Sequence, residues 1–263
     1  MRRLRLGMMA GGIGLDPDAV AFLTAAGITD ATITTAIDTL VTDLKGYGIW
    51  NKMKAIYPFV GGTATTHKFN LKNPANTNAA FRLLFFGGVA HDNTGIKFNG
   101  SNGYANTYIV PSAHLQQNNN SVSVYSRTQP TNTFAYSGAL NPNFIHGYGN
   151  IGGVIEVFQN TSSLSSISTN YTSFITAVRR GSGTADAVEI YKAGVSIRTD
   201  TYSSQNLQAN NYYLGAVNNN GTAMFYATVN MAFASIGDGL SDTEAANYYT
   251  TVQAFQTTLN RQV

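Results

Sequence analysis

Along most of the chain, apolar and polar residues alternate with a period of two, in short runs closed by turn residues. The densest example runs from Phe174 to Val217. Phe174, Thr176 and Val178 alternate before Arg179-Arg180-Gly181-Ser182-Gly183 turns the chain. Val188 and Ile190 then flank Glu189, and Lys192-Ala193-Gly194 reverses into Val195, Ile197 and Thr199. Tyr212 to Val217 ends on Asn218-Asn219-Asn220-Gly221. This alternation sets one face of an extended segment against a core and the other against water, and Gly supplies the positive-φ turns. The pattern therefore predicts antiparallel strands joined by hairpins. The same reading predicts strands at Phe69 and Leu71, at Phe81, Leu83 and Phe85, and over Ser121–Arg127, Phe134–Tyr136, Phe144–Tyr148 and Val154–Phe158.

Two stretches change to a helical period. Asp16-Pro17 opens a short helix that Gly27 stops, Pro being suited to a first turn. Thr29 or Asp30 caps a second, in which Ile33, Ile37, Leu40 and Leu44 form one stripe opposite Asp38 and Asp43, and Gly46 and Gly48 end it. Trp50, the single tryptophan, follows as a core anchor between the helices and the strands. Near the C-terminus, Ser241 and Glu244 have capping-box spacing, and Tyr248, Val252, Phe255 and Leu259 recur on one helical face. The chain divides into a tail at 1–15, a small helical segment at 16–60, and a β-sandwich with a C-terminal helix at 61–263. On that division, the sandwich is expected to fold without residues 1 to about 60.

The order of an aromatic strand, an Arg-rich turn, the Ile190-Tyr191-Lys192-Ala193-Gly194 hairpin and Tyr213-Leu214-Gly215-Ala216 resembles the concanavalin A-like, laminin G-like jelly roll. Ala234-Ser235-Ile236-Gly237-Asp238-Gly239-Leu240-Ser241-Asp242-Thr243-Glu244 is similar to that family's closing strand and helix start. Ile96-Lys97-Phe98-Asn99-Gly100-Ser101-Asn102-Gly103-Tyr104-Ala105 is similar to its early strand pair. The resemblance covers about Phe69 to the end and implies an all-β fold, an antiparallel β-sandwich. With a small helical segment in front, such domains also look like those in structural proteins of tailed bacteriophages. That likeness implies a non-enzymatic virion protein (a capsid decoration, fibre or tail component). It would be a homo-oligomer that displays the sandwich on the particle surface and joins other virion proteins through its N-terminal segment. A free adhesion module of a bacterial surface protein is the alternative, with a cryptic glycoside hydrolase behind it.

Composition narrows the chemistry. Only 11% of residues are charged, while 26 Gly, 15 Tyr and 14 Phe suit a surface kept soluble by amides and hydroxyls. The absence of cysteine excludes disulfides, thiolate metal sites and a Cys nucleophile. A net charge of +3 argues for no specific nucleic-acid partner. Met1 to Gly12 has a positive start, but glycines break its apolar run, so it reads as an attachment arm carrying Arg2, Arg3 and Arg5 rather than as a leader or membrane span.

Glycosidases on this jelly roll use an E-x-D-x-x-E strand, because a retaining mechanism needs two carboxyls about 5 Å apart. That pattern is missing; Glu156 and Glu189 are lone acids on separate strands, so no catalytic residue is assigned. His67, His91, His114 and His146 lack zinc-ligand spacing. The resemblance makes calcium the natural metal, with Asp92 and Asp238 the acids available, but two acids are few for a hard cation and no cofactor is expected. Sugar binding needs aromatic faces beside amides and hydroxyls. Tyr104, Tyr108, His114, Tyr136, Tyr148 and Tyr202 offer these, together with the Asn-rich loops at Asn118–Asn120 and around Asn219; a host surface glycan is the expected ligand.

Overall fold

The computed structural model describes residues 14–131, 135–141, 144–151 and 154–263. The helices begin where side chains can satisfy their free amides. Asp16 accepts from the Asp18 amide at the head of α1 (Pro17–Ala26), and Gly27, at φ 66°, closes it. Asp30 accepts from the Ile33 amide at 2.8 Å and starts α2 (Ala31–Gly46), whose Ile37, Leu40 and Leu44 are buried while Ile33 packs at the margin. Lys45 reaches back to Asp16 and Asp18, 2.6 Å from each, and braces α2 against α1. Two single turns follow, α3 (Ala64–His67) and α4 (Pro111–His114). The last helix, α5 (Asp242–Thr258), starts on the reciprocal Ser241–Glu244 capping box.

Among the described residues, seventeen strands form two sheets. Across sheet 1 run β13 (Val195–Asp200), β12 (Val188–Lys192), β11 (Ser173–Arg179), β6 (Asn120–Ser126), β17 (Asn230–Gly237), β4 (Gly95–Phe98) and β3 (Val89–Asp92); β1 (Met53–Tyr57) also pairs with β17. Sheet 2 orders β10 (Ser165–Ser168), β9 (Val154–Thr161), β8 (Phe144–Ile151), β7 (Ala135–Asn141), β14 (Tyr213–Leu214), β5 (Tyr104–Asn106) and β2 (Leu84–Phe86). Its remaining strands are β15 (Val217–Asn219), which pairs parallel with β7, and β16 (Thr222–Met224), its hairpin partner. The run from Phe174 to Val217 is thus shared: β11 to β13 make a meander in sheet 1, while β14 crosses to sheet 2.

Phe69 and Leu71 are buried as expected, but no strand forms there. The side chain of buried Asn70 takes over the pairing. Its Oδ1 accepts from the Ile56 amide at 2.9 Å, and its Nδ2 donates to the Lys54 and Ala80 carbonyls at 3.2 and 3.1 Å. One amide side chain can serve both senses of a backbone ladder, which relieves the surrounding residues of extended geometry.

Two cores result. Ile96, Val122, Val124, Ile155, Val157, Ile175, Ile190, Leu214 and Ile236 fill the space between the sheets. On the other side of sheet 1, Ile37, Leu40, Leu44, Trp50, Tyr125, Phe174, Phe233, Tyr248, Val252 and Phe255 pack as a second core. The ring of Phe174 meets that of Tyr248 edge to face at 5.1 Å. Strands β6, β11 and β17 are buried at every position because both of their faces are covered. The molecule is therefore three layers deep: helices, sheet 1, sheet 2. The stretch 16–60 supplies two helices, Trp50 and the strand β1 to this arrangement. Among the described residues, no helix is long and apolar enough to cross a membrane.

Candidate functional site

The first helices and α5 lie on sheet 1. Sheet 2 carries a ladder of aromatic rings on its outer face. Ala105 and Leu214 pair in register and are fully buried between the sheets, so strand alternation sends Tyr104, Asn106 and Tyr213 to the opposite side. Phe86, in register with Tyr104, stacks on it with centroids 4.8 Å apart and planes 11° from parallel. Tyr104 stacks in turn on Tyr213 at 4.7 Å and 26°, and Tyr226 leans in at 6.4 Å. Phe86 is 38% exposed, Tyr104 and Tyr226 are half-buried, and Tyr213 is buried beneath them.

Two interlocked loops hold this edge. Asn99 Oδ1 accepts the amides of Ser101, Asn102 and Gly103, and Asn102 Oδ1 accepts from the Gly88 amide at 2.9 Å. Gly87 sits at φ 63°, where an added Cβ would lie 2.1 Å from the Asn102 carbonyl oxygen; at Gly103 it would lie 2.5 Å from that of Gly88. Phe86 precedes the first loop and Tyr104 follows the second, so the loop contact fixes one ring over the other. Tyr108, half-buried at φ 58°, is held by the hydrogen bond that its backbone amide donates to Asn106 Oδ1 at 2.9 Å.

The phenols sense one another. Burial, then the nearby Tyr226 phenol, raises the pKa of Tyr104; burial, then Tyr104, Tyr108 and Tyr226, raises that of Tyr213. Both stay protonated at neutral pH, able to donate and to accept hydrogen bonds. Tyr104 lies between the other two rings, so the arrangement offers the open face of Phe86 at one end of the stack and ring edges bordered by neutral hydroxyls and amides. It has the means to stack on the C–H face of a sugar ring and bond to its hydroxyls.

The structure gathers some of the expected site residues here and places others elsewhere. Tyr104 is the centre of the ladder and Tyr108 adjoins it. Asn219 lies in the β15–β16 hairpin, opposite Thr222 and beside Leu140 of β7. Tyr136 and Tyr148 occupy adjacent strands of the same sheet, paired with Gly149 and Ser137; their side chains lie outside the described residues. His114 is engaged at α4, with Nδ1 3.0 Å from the Val110 backbone and its ring edge-on to Phe81 at 4.8 Å. Tyr202 uses its carbonyl to accept from buried Arg179 in the other sheet's margin. Arg2, Arg3 and Arg5 also lie outside the described residues. Phe86, Tyr213 and Tyr226 were not singled out by the sequence, because their convergence depends on the pairing of β2, β5 and β14.

Among the described residues, no three His, Asp or Glu side chains gather as a metal site. Asp92 is bonded to Thr94 and Lys97 beside the start of β17, while Asp238 faces Lys54 at 3.3 Å just beyond its end. Glu156 and Glu189 belong to different sheets, and Glu189 is paired with Arg180.

These features define a two-sheet antiparallel β-sandwich backed by helices, with an aromatic face on the side of sheet 2 away from them. No family model matches the chain, and no curated protein matches its sequence. Solved structures do match in fold. The binding domain of botulinum neurotoxin serotype D is similar with a TM-score of 0.53 and 13% identity, covering 77% of this chain and 52% of that one. The receptor binding domain of the botulinum neurotoxin C/D mosaic serotype is similar at 0.51 and 14%, covering 77% and 52%. The binding domain of botulinum neurotoxin DC, solved with rat synaptotagmin II, is similar at 0.50 and 13%, covering 78% and 52%. The chain spans about half the length of these domains.

Proposed function

We propose that this protein is a non-catalytic glycan-binding module that uses the Phe86–Tyr104–Tyr213 ladder as its sugar platform. The stacked, partly exposed rings carry the reading. Tyr213 is buried as the base of the stack, whereas Tyr104 is half-buried and Phe86 exposed on the outer face of sheet 2, with phenol and amide groups around them. That the fold neighbours are binding and receptor-binding domains supports recognition rather than turnover. The bacteriophage-like sequence features support display on a virion surface. There the N-terminal segment, with Arg2, Arg3 and Arg5, joins other virion proteins, and repeated copies raise weak single-site affinity by avidity.

Saccharide binding measured on an array of bacterial envelope glycans, followed by calorimetry on the best ligand, tests this reading. Phe86→Ala, which removes the ring at the open end of the stack, and Tyr104→Ala, which removes the ring that supports it, are each expected to weaken binding about tenfold or more, on the scale of the about 1–3 kcal/mol that one base stacked on an aromatic side chain contributes. Thr258→Ala, on the exposed side of α5, leaves it unchanged. Binding that is insensitive to Tyr104→Ala, or no saccharide binding at all, would sink the proposal.

A further inference from the structure

Charge is unevenly divided along this chain. Residues 14–46 hold five aspartates and one lysine, a net of −4, although the whole chain has a formal charge of +3. Lys45 is already spent on Asp16 and Asp18. The preceding thirteen residues carry no acid and three arginines, Arg2, Arg3 and Arg5, interleaved with Leu4, Leu6, Met8 and Met9.

Between α1 and α2 the surface opens into a groove of about 370 Å³. Leu15, Val20, Leu23 and Ile28 make its apolar lining, with Thr24 and Thr34 at the rim. Leu15 and Val20 are each 43% exposed and line the same groove, so they form one apolar patch. Asp16 adjoins Leu15 and Asp30 adjoins Thr29, so acids flank the apolar floor in sequence. The described chain begins at Gly14, next to Leu15 and therefore at the edge of the groove itself.

We infer that this groove seats the chain's own N-terminal segment, with Leu4 to Met9 over the apolar floor and the arginines toward the aspartates of α1 and α2. The chemistry is complementary in both respects. Gly7, Gly11, Gly12 and Gly14 supply the backbone freedom for the chain to fold back on itself. The occupant is the same chain rather than a second copy because the tether is only a few residues long. A tether this short gives an effective concentration in the mM range, far above ordinary protein concentrations. A neighbouring virion protein would then join the N-terminal segment as it lies seated in the groove. The inference does not depend on the glycan reading.

Disulfide trapping in the full-length chain tests it, and the absence of native cysteine leaves no background. Met9→Cys is combined with Thr24→Cys at the groove rim; the control pair joins Met9→Cys to Thr222→Cys, exposed on β16. The expected result is an intramolecular cross-link in the first pair, absent in the control, with a yield that does not vary with protein concentration and falls as salt is raised. Adding Val20→Asp is expected to abolish the cross-link while the thermal transition is kept, since Val20 is on the surface. Leu15→Asn is expected to do the same. Cross-linked dimers would overturn the choice of occupant. A yield no greater than the control's, or one unaffected by both groove substitutions, would overturn the inference itself.

Discussion

His67 is 1% exposed, and its Nδ1 lies 3.1 Å from Nδ1 of His91, so one ring must donate and the other accept. Burial, with His91 and Arg261 nearby and Asp92 only partly offsetting them, pulls the His67 pKa down to about 3. Burial also lowers that of His91. Both folded-state values lie below the ordinary 6.5, so between about pH 6.5 and 3 the unfolded chain binds more protons than the folded one. Stability is then full above pH 6.5 and declines as pH falls, at up to about 1.4 kcal/mol per pH unit for each fully shifted group. The melting temperature is expected to drop from pH 7 to pH 5.5, above the range in which ordinary carboxylates titrate, and His67→Gln should flatten that drop. A wild-type melting temperature that is level over this interval would show that the pair is not held neutral. Nothing in the local sequence announces the pair: the two histidines are 24 residues apart, on a helical turn and on a strand.

At the scale of elements, what depended on near neighbours was legible. The α1 and α2 starts at Asp16 and Asp30 and the Ser241–Glu244 box are short-range rules that the structure follows. So is the β12–β13 reversal, where Ala193 and Gly194 take φ of 51° and 72°. The all-β sandwich followed from the same signals. The ladder was legible only in part, through Tyr104 and Tyr108, because it joins residues more than a hundred positions apart through β2, β5 and β14. Asn70 was hidden for a related reason: a polar residue between Phe69 and Leu71 looks like an outward strand position, yet it is buried and bonds to β1, to Ala80 and to its own neighbour Lys72. The loop contact behind the ladder gives a test at this level. Gly87→Ala puts a Cβ against backbone, which side-chain motion cannot relieve, and imposes a left-handed φ on alanine. Urea unfolding is expected to show a loss of roughly 1–3 kcal/mol, with weakened saccharide binding as Phe86 leaves its register over Tyr104. Unchanged stability would mean that the two loops are not locked together as described.

Over the whole molecule, the division at residue 60 that follows from the change from helical to strand period is crossed by three kinds of interaction. Strand β1 pairs with β17 from Met53 to Tyr57. The outer core unites Ile37, Leu40, Leu44 and Trp50 with Tyr125, Phe174 and Phe233 of sheet 1. Arg261, fully inside the protein, donates to the Phe59 and Pro58 carbonyls at 2.7 Å each, to Ala232 at 3.0 Å and to Gln256 at 2.6 Å. Burial lowers its pKa to about 9, so its positive charge is retained at neutral pH and rests on those carbonyl dipoles. Removing residues 1–60 would strip two of the four acceptors from a buried guanidinium, at several kcal/mol for the unpaired donors. It would also open one side of β17 and expose rings worth about 1.5–3 kcal/mol each in burial. Because net stability is commonly only about 5–15 kcal/mol, these losses exceed what a sandwich core is expected to offset. The truncated chain should lack a cooperative transition by calorimetry and lose its near-ultraviolet circular dichroism, whereas removal of residues 1–13 alone should preserve both. A soluble, cooperatively melting fragment from residue 61 onward would show instead that the core between the sheets is self-sufficient, and that the helical layer is an attachment built on a finished domain.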